Sequence, residues 1–257
     1  MSETPTGRLC WHELLTTNPD GALSFYGEIA GWGSQPFGGG DEPYTMWTNG
    51  ETPIGGVMQL PQQAIDAGAP PNWLVHISTP DVKATVAKAQ GLGATVLHEE
   101  SIPEVGSFAI MSDPQGAVFA VYQPTADTPG HDGPPAEGEF SWCELPTTDW
   151  EAAWSFYSEL FGWQEHDQMD MGETGIYHMF SRGAHPLGGM FNKPPEVPVA
   201  AWVFYIRVPD CTAAVEKVKE LGGKVLNGPM EVPGGDMVAQ CMDPEGASFA
   251  VHSVAGG

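Results

Sequence analysis

Basic side chains are scarce in this sequence: nine Lys and Arg stand against 33 Asp and Glu, a formal net charge of −24. Phosphate backbones and anionic lipid surfaces are attracted by a basic footprint, so nucleic acid and membrane surfaces are excluded as partners. Long apolar runs are also missing. No stretch approaches the roughly 18 residues a spanning helix needs, and the opening MSETPTGRLCWHEL lacks the basic start and apolar core of a secretory signal. A cytoplasmic protein with a solvated acidic surface is expected. Cys10, Cys143, Cys211 and Cys241 show no C-x-x-C spacing, which argues against a zinc knuckle or redox pair and for buried free thiols. No G-x-S-x-G or other nucleophile–base signature is present.

What the chain does have is a repeat. Residues 11–32, WHELLTTNPDGALSFYGEIAGW, return at 142–163 as WCELPTTDWEAAWSFYSELFGW, with 12 of 22 identities at an offset of 131. Residues 73–97 return at 202–226 with 11 of 25 identities, and DPQGAVFAV (113–121) returns as DPEGASFAV (243–251) with 7 of 9. A period this long marks duplicated domains rather than a solenoid, whose repeats run roughly 20–50 residues.

Within each copy the pattern alternates between strand and helix signals. Asn18 and Asp149 stand where helix caps are needed, with Pro19 at the first helical position. Ala22, Phe25, Tyr26 and Ile29, like Ala153, Phe156, Tyr157 and Leu160, form apolar stripes at helical spacing. Gly31 and Gly162 end these helices. Short strands follow, with Gly38-Gly39-Gly40 marking a turn before Tyr44–Thr48, and the order then restarts at Trp73 and at Trp202, which are read as packing residues. The expected class is α+β: four βαβββ units arranged as two tandem domains. Their bounds are 8–123 and 140–254, joined by a Pro-, Gly- and acid-rich linker at 124–139.

A strand, then S-F-Y in a helix closed by G-W, then D-P-x-G-x-x-F-A-V in a late strand resembles the vicinal-oxygen-chelate superfamily of glyoxalase I, bleomycin-resistance proteins and extradiol dioxygenases. Two copies in one chain are most similar to its tandem glyoxalase-like, "hydroxylase"-labelled members. The resemblance implies paired βαβββ units around a half-open cavity. It also implies one divalent Ni, Zn, Fe, Mn or Co ion held by four O/N side chains, a Lewis acid for substrates with adjacent oxygens. Carried over position by position, the ligand places fall on Trp11, Trp142, Ala120, Ala250, Leu74, Val203, Met58 and Met190. None of these side chains suits a hard cation, so no metal cofactor is expected. His166, His178 and His185 sit among expected turns and lack the spacing of a replacement site.

Strand alternation puts Glu13 on the face of Trp11, and Glu144 on that of Trp142. It groups His76 with Leu74, Tyr122 with Ala120, Tyr205 and Arg207 with Val203, and His252 with Ala250. If the halves pair as the family's dimers do, Glu13 meets Tyr205, Arg207 and His252, while Glu144 meets His76 and Tyr122. Glu13, Glu144, His76 and His252 are therefore the candidate catalytic groups. Trp11, Trp142, Met58, Met190, Tyr122, Tyr205 and Arg207 are the candidate substrate contacts. A His and a carboxylate in an apolar cavity suit metal-free proton transfer of lyase or isomerase type. Two other readings stay open: a non-catalytic binder of the bleomycin-resistance type, and a metal-dependent lyase or dioxygenase with non-standard ligands. For Glu13 and Glu144 a purely structural role also stays open, a bond to backbone groups at the strand end or the nearby helix start. A small molecule is the expected partner, and a monomer or weak homodimer the expected state.

Overall fold

In the computed structural model, which describes residues 4–38 and 44–256, the helices begin on the residues that the sequence marks as caps. The first half runs β1 (Leu9–Thr16), α1 (Pro19–Ala30), β2 (Gly33–Pro36), β3 (Thr45–Asn49), β4 (Thr52–Gln59), α2 (Gln62–Asp66), β5 (Asn72–Ser78), α3 (Val82–Gly91), β6 (Thr95–Ile102), β7 (Gly106–Ser112) and β8 (Val118–Pro124). The second runs β9 (Phe140–Thr147), α4 (Trp150–Phe161), β10 (Gln164–Asp170), β11 (Ile176–Arg182), β12 (His185–Asn192), β13 (Val203–Arg207), α5 (Cys211–Glu220), β14 (Lys224–Glu231), β15 (Met237–Met242) and β16 (Ser248–Ser253). Each half is βαβββ stated twice. The short α2 lies in a stretch that reads as a polar connector. Of the glycine turn expected at 38–40, Gly39 and Gly40 lie outside the described residues.

Asn18, Asp81, Asp149 and Asp210 accept hydrogen bonds from the first-turn N–H groups of α1, α3, α4 and α5. Gly31 and Gly162 close α1 and α4 in the left-handed conformation, at φ of 69° and 71°. The strands form two eight-stranded sheets of identical order, β2-β3-β4-β1-β5-β8-β7-β6 and β10-β11-β12-β9-β13-β16-β15-β14. All four cysteines are buried and unpaired. Among the described residues no helix is long and apolar enough to cross a membrane.

The chain packs as two compact units. One contains Met1–Trp11, Leu74–Gly133 and Cys143–Trp202, and the other contains His12–Trp73, Pro134–Trp142 and Val203–Gly257. Each unit therefore combines the first βαβββ module of one half with the second module of the other. The recurring sequence motifs explain how. In the first unit the Trp202 indole N–H donates to the Tyr157 hydroxyl (3.2 Å), which donates to Asp113 Oδ2 (3.0 Å). Asp113 Oδ1 in turn accepts the N–H groups of Gln115 and Ala117, both at 2.9 Å. In the second unit Trp73 donates to Tyr26 (3.0 Å), Tyr26 to Asp243 Oδ2 (3.1 Å), and Asp243 Oδ1 accepts Glu245, Gly246 and Ala247. The Asp of D-P-x-G in one half thus holds the Tyr of S-F-Y from the other. Burial raises both carboxyls above the ordinary range, against the opposing pull of these donors. Burial, followed by the neighbouring Asp, raises both phenols far above theirs, so each stays protonated and donates.

The G-W pairs fix the segments that lead into β1 and β9. The Trp163 indole donates to Gly7 O (2.8 Å) within the first unit, and that of Trp32 to Gly138 O (2.7 Å) within the second. The stretch 124–139 is likewise held down. The chain's three arginines are Arg8, Arg182 and Arg207, and all three bind this stretch. Arg8 grips Asp132 through Nε (3.1 Å) and Nη2 (2.6 Å), Arg182 binds the same carboxylate, and Arg207 donates to Pro135 O. Asp132 is lowered to about 2, chiefly by its hydrogen bond from Arg8.

Removing one hydroxyl from either buried chain strands an indole donor and a carboxylate oxygen. Tyr26→Phe and Tyr157→Phe are each expected to lower stability by about 1–3 kcal/mol, read from the midpoint of chemical denaturation. A midpoint unchanged in both variants would remove these chains from the account of stability.

Candidate functional site

The two faces of β1 differ in burial. Cys10, His12, Leu14 and Thr16 are buried, while Trp11, Glu13 and Leu15 are half-buried. The half-buried face is the open one, and it carries the candidate residues. On β9, Glu144 is half-buried between Cys143 and Leu145, both fully buried. The Tyr177 hydroxyl donates to Glu144 Oε1 at 2.9 Å.

A glycine makes this contact possible. Gly189 pairs with Glu144 in register, and a Cβ placed on it would stand 2.2 Å from the Tyr177 ring and 2.5 Å from its hydroxyl. The first half repeats the arrangement. Gly56 pairs with Glu13, and a Cβ on Gly56 would stand 1.9 Å from the Tyr44 hydroxyl. Tyr44 and Tyr177 were not among the residues singled out from sequence. A signal existed, because both tyrosines precede the second glycine of a Gly-Gly pair by 12 residues. That Gly-Gly pair serves close packing of a tyrosine over a strand rather than phosphate binding.

The compact units sort the other candidates. Glu144, His76, Tyr122 and Trp11 fall in the first unit, and Glu13, Tyr205, Arg207, His252, Trp142 and Met58 in the second. His76 is buried, its ring 5.8 Å from that of Phe108 and 6.1 Å from that of Tyr122. The Tyr122 hydroxyl donates to Val105 O at 3.0 Å, and burial raises it to about 12. Tyr205 is buried and accepts from Gln240 Nε2 at 3.2 Å. Trp142 is half-buried on β9, and Met58 is half-buried in register with Leu15, on the face of Glu13.

Met190 does not share the face of Glu144. It pairs with the buried Leu145 and is itself fully buried. The Gly-Gly pairs align Met58 with Phe191, which stacks on Tyr177 at 5.6 Å. A shift of one residue in a strand exchanges its faces, so an uncertain register misplaces a side chain completely. His178 also departs from expectation. It lies within β11 rather than in a turn, buried with its ring 5.0 Å from the indole of Trp150 and 4.5 Å from that of Trp154.

The places where the resemblance puts metal ligands do not carry the donors of a hard divalent ion. The implied ligand places include Leu74, Ala120 and Ala250, all buried and apolar. Among the described residues no group of three or more His, Cys, Asp or Glu is arranged to hold a metal.

Paired βαβββ modules with candidate groups on an open sheet face define a glyoxalase-type protein. The model of the Glyoxalase/Bleomycin resistance protein/Dioxygenase superfamily matches residues 139–251, and that of the Glyoxalase-like domain matches 11–122. The chain belongs to this superfamily, with two tandem copies. It is 42% identical over 122 residues to CFP32 of Mycobacterium bovis, provisionally named a glyoxylase. That match covers 46% of this chain and 45% of CFP32, so the chain aligns with less than half of that relative. It is 28% identical over 273 residues to the anthracycline biosynthesis protein DauV of Streptomyces sp. strain C5, covering 98% of this chain and 94% of DauV. Among solved structures, the Mn(II)-bound glyoxalase from Novosphingobium aromaticivorans superimposes with a TM-score of 0.65 at 15% identity, covering 99% of this chain and 85% of that one. At that identity the likeness is one of fold.

Gly189→Ala is expected to push the Tyr177 ring off the strand at a cost of about 1–3 kcal/mol, read by thermal or chemical denaturation. Adding Tyr177→Ala should return part of that loss, and a double variant no better than additive would contradict the packing role. A second expectation concerns pH. Burial lowers the His178 pKa below its ordinary 6.5, against a weaker upward pull from Glu165. The unfolded chain therefore takes up this proton first. The contribution is complete above about pH 6.5 and is lost as pH falls from there through the lower pKa of the folded state. Denaturation midpoints measured between pH 7.5 and 5.5 should fall in the native chain and fall less in His178→Phe.

Proposed function

We propose that this protein binds a ring-bearing small molecule on the open face of its sheets and moves a proton on it without a metal, as a lyase or isomerase does. The single observation that carries the reading is the Glu144–Tyr177 pair, with its counterpart geometry at Glu13, Gly56 and Tyr44. The hydroxyl fixes the orientation of a half-buried carboxylate. A carboxylate oriented beside aromatic surface can take a proton from a carbon next to a carbonyl and return it elsewhere. Phe191, stacked on Tyr177, adds a flat contact for a ring. Trp11 extends the apolar lining in the first unit, as Trp142 and Met58 do beside Glu13 in the second, and His76 is the second proton carrier of the first unit. The similarity to DauV, whose name assigns it to anthracycline biosynthesis, supports a polycyclic aromatic ketone as the ligand class. The buried apolar side chains at the implied ligand places support metal independence. We place the protein in the cytoplasm as a monomer or weak homodimer.

A second reading, pure sequestration of such a compound, draws on the engagement of Tyr122, Arg207 and His252 with the scaffold. Exchange in D₂O separates the two. Polycyclic aromatic ketones incubated with the native chain should exchange the proton next to the carbonyl. Glu144→Gln should slow that exchange about 10²-fold or more, with binding, read by tryptophan quenching, retained. Binding without exchange in the native chain would leave sequestration. About one equivalent of Ni, Zn, Fe or Mn per chain by elemental analysis would overturn metal independence.

A further inference from the structure

Three side chains of the second unit form a hydrogen-bonded line that the chemistry above does not use. Ser141 Oγ lies 2.8 Å from His252 Nδ1, and His252 Nε2 lies 3.0 Å from Asp236 Oδ2. Asp236 is fixed in turn, its Oδ1 accepting the Ala255 N–H at 2.8 Å. These spacings are those of a nucleophile, a base and the group that orients the base. The residues lie at positions 141, 236 and 252 and share no motif, which is why no such signature is visible along the chain.

The ring's tautomer follows from its partners. Although burial opposes it, the Ala255 N–H and His252 keep Asp236 below the ordinary carboxyl range, so it is an acceptor. His252 therefore donates its Nε2 proton to Asp236 and leaves Nδ1 to accept from the serine. The other acceptor near Ser141, Tyr205 O, is more distant at 3.3 Å. Arg207, paired with His252 in register, carries a buried Nε–H with no hydrogen-bond partner among the described residues. It is a donor at hand for negative charge developing beside the histidine. Neither Ser141 nor His252 is fully buried; the histidine side chain is 16% exposed and that of Asp236 35%.

We infer that Ser141 is a nucleophile, activated by His252 and positioned through Asp236, which takes the acyl group of a carboxylic ester in a hydrolytic reaction separate from the proton-transfer site. Ser141 Oγ bonds to the acyl carbon as its proton passes to His252 Nδ1. The alcohol leaves with that proton as the ester C–O bond breaks. Water then attacks the acyl-serine by the same route, releasing the carboxylic acid and restoring the hydroxyl. The first copy holds Cys10 and Tyr122 at the corresponding places, so the line exists in one unit alone.

The test labels the full native chain with a fluorophosphonate, which joins phosphorus to a reactive serine with loss of fluoride, and maps the adduct by peptide mass spectrometry. An adduct at Ser141, absent in Ser141→Ala, is expected. His252→Gln should slow labelling about 10²-fold. Asp236→Ala should also slow it, and Asp236→Glu should restore part of the rate at an unchanged denaturation midpoint. p-Nitrophenyl acetate hydrolysis should fall in parallel. A natively folded protein, judged by circular dichroism, that forms no adduct at Ser141 overturns the inference. So does labelling at Ser141 that His252→Gln leaves unchanged.

Discussion

The buried Trp–Tyr–Asp chain is the constraint on which the rest of the architecture depends. Its aspartate would be costly to bury alone, and the turn that contains it supplies two or three backbone donors before the tyrosine adds another. The tyrosine comes from a helix in the other half of the chain, and the tryptophan lies within one residue of the start of the next module's first strand in that half. A single hydrogen-bonded line therefore selects which modules share a core. Around it pack Phe119 with Phe156 and Tyr157 in one unit, and Phe249 with Phe25 and Tyr26 in the other. The polar line gives the aromatic core one register, and the aromatic core keeps water from the line.

The scarcity of cations gives each of them weight. All three arginines bind the stretch 124–139, so the segment that most resembles a loose tether is pinned at Asp132 and Pro135. Arg207 shows how a residue can face a candidate site and still serve the scaffold. One end of its guanidinium holds a backbone carbonyl while Nε is buried beside the strand that carries His252.

The two units have the same frame and different side chains around it. Both have a glutamate, a glycine and a tyrosine in the same relation, but His76 and Tyr122 of the first unit are Tyr205 and His252 in the second. His76 lies among rings, whereas His252 is drawn into a line with a serine and an aspartate. Duplication preserved the parts that packing requires and the glutamate of the open face, and let the histidine positions diverge.

Residue patterns were enough to determine the repeat, the class, the helix caps and the apolar stripes, because these depend on neighbours within a few positions along the chain. The face of Glu13 and Glu144 was legible for the same reason, as alternation along a strand is local. Tertiary structure decided what lies across the strands. Met190 turned out to face the core, because its counterpart in the first copy is the buried Val57 rather than Met58, and a step of one residue exchanges the faces of a strand. Tyr44 and Tyr177 join the candidate site only because a glycine on the intervening strand leaves room for a ring. Ser141, Asp236 and His252 meet because strands far apart in sequence converge, and no spacing along the chain encodes that meeting.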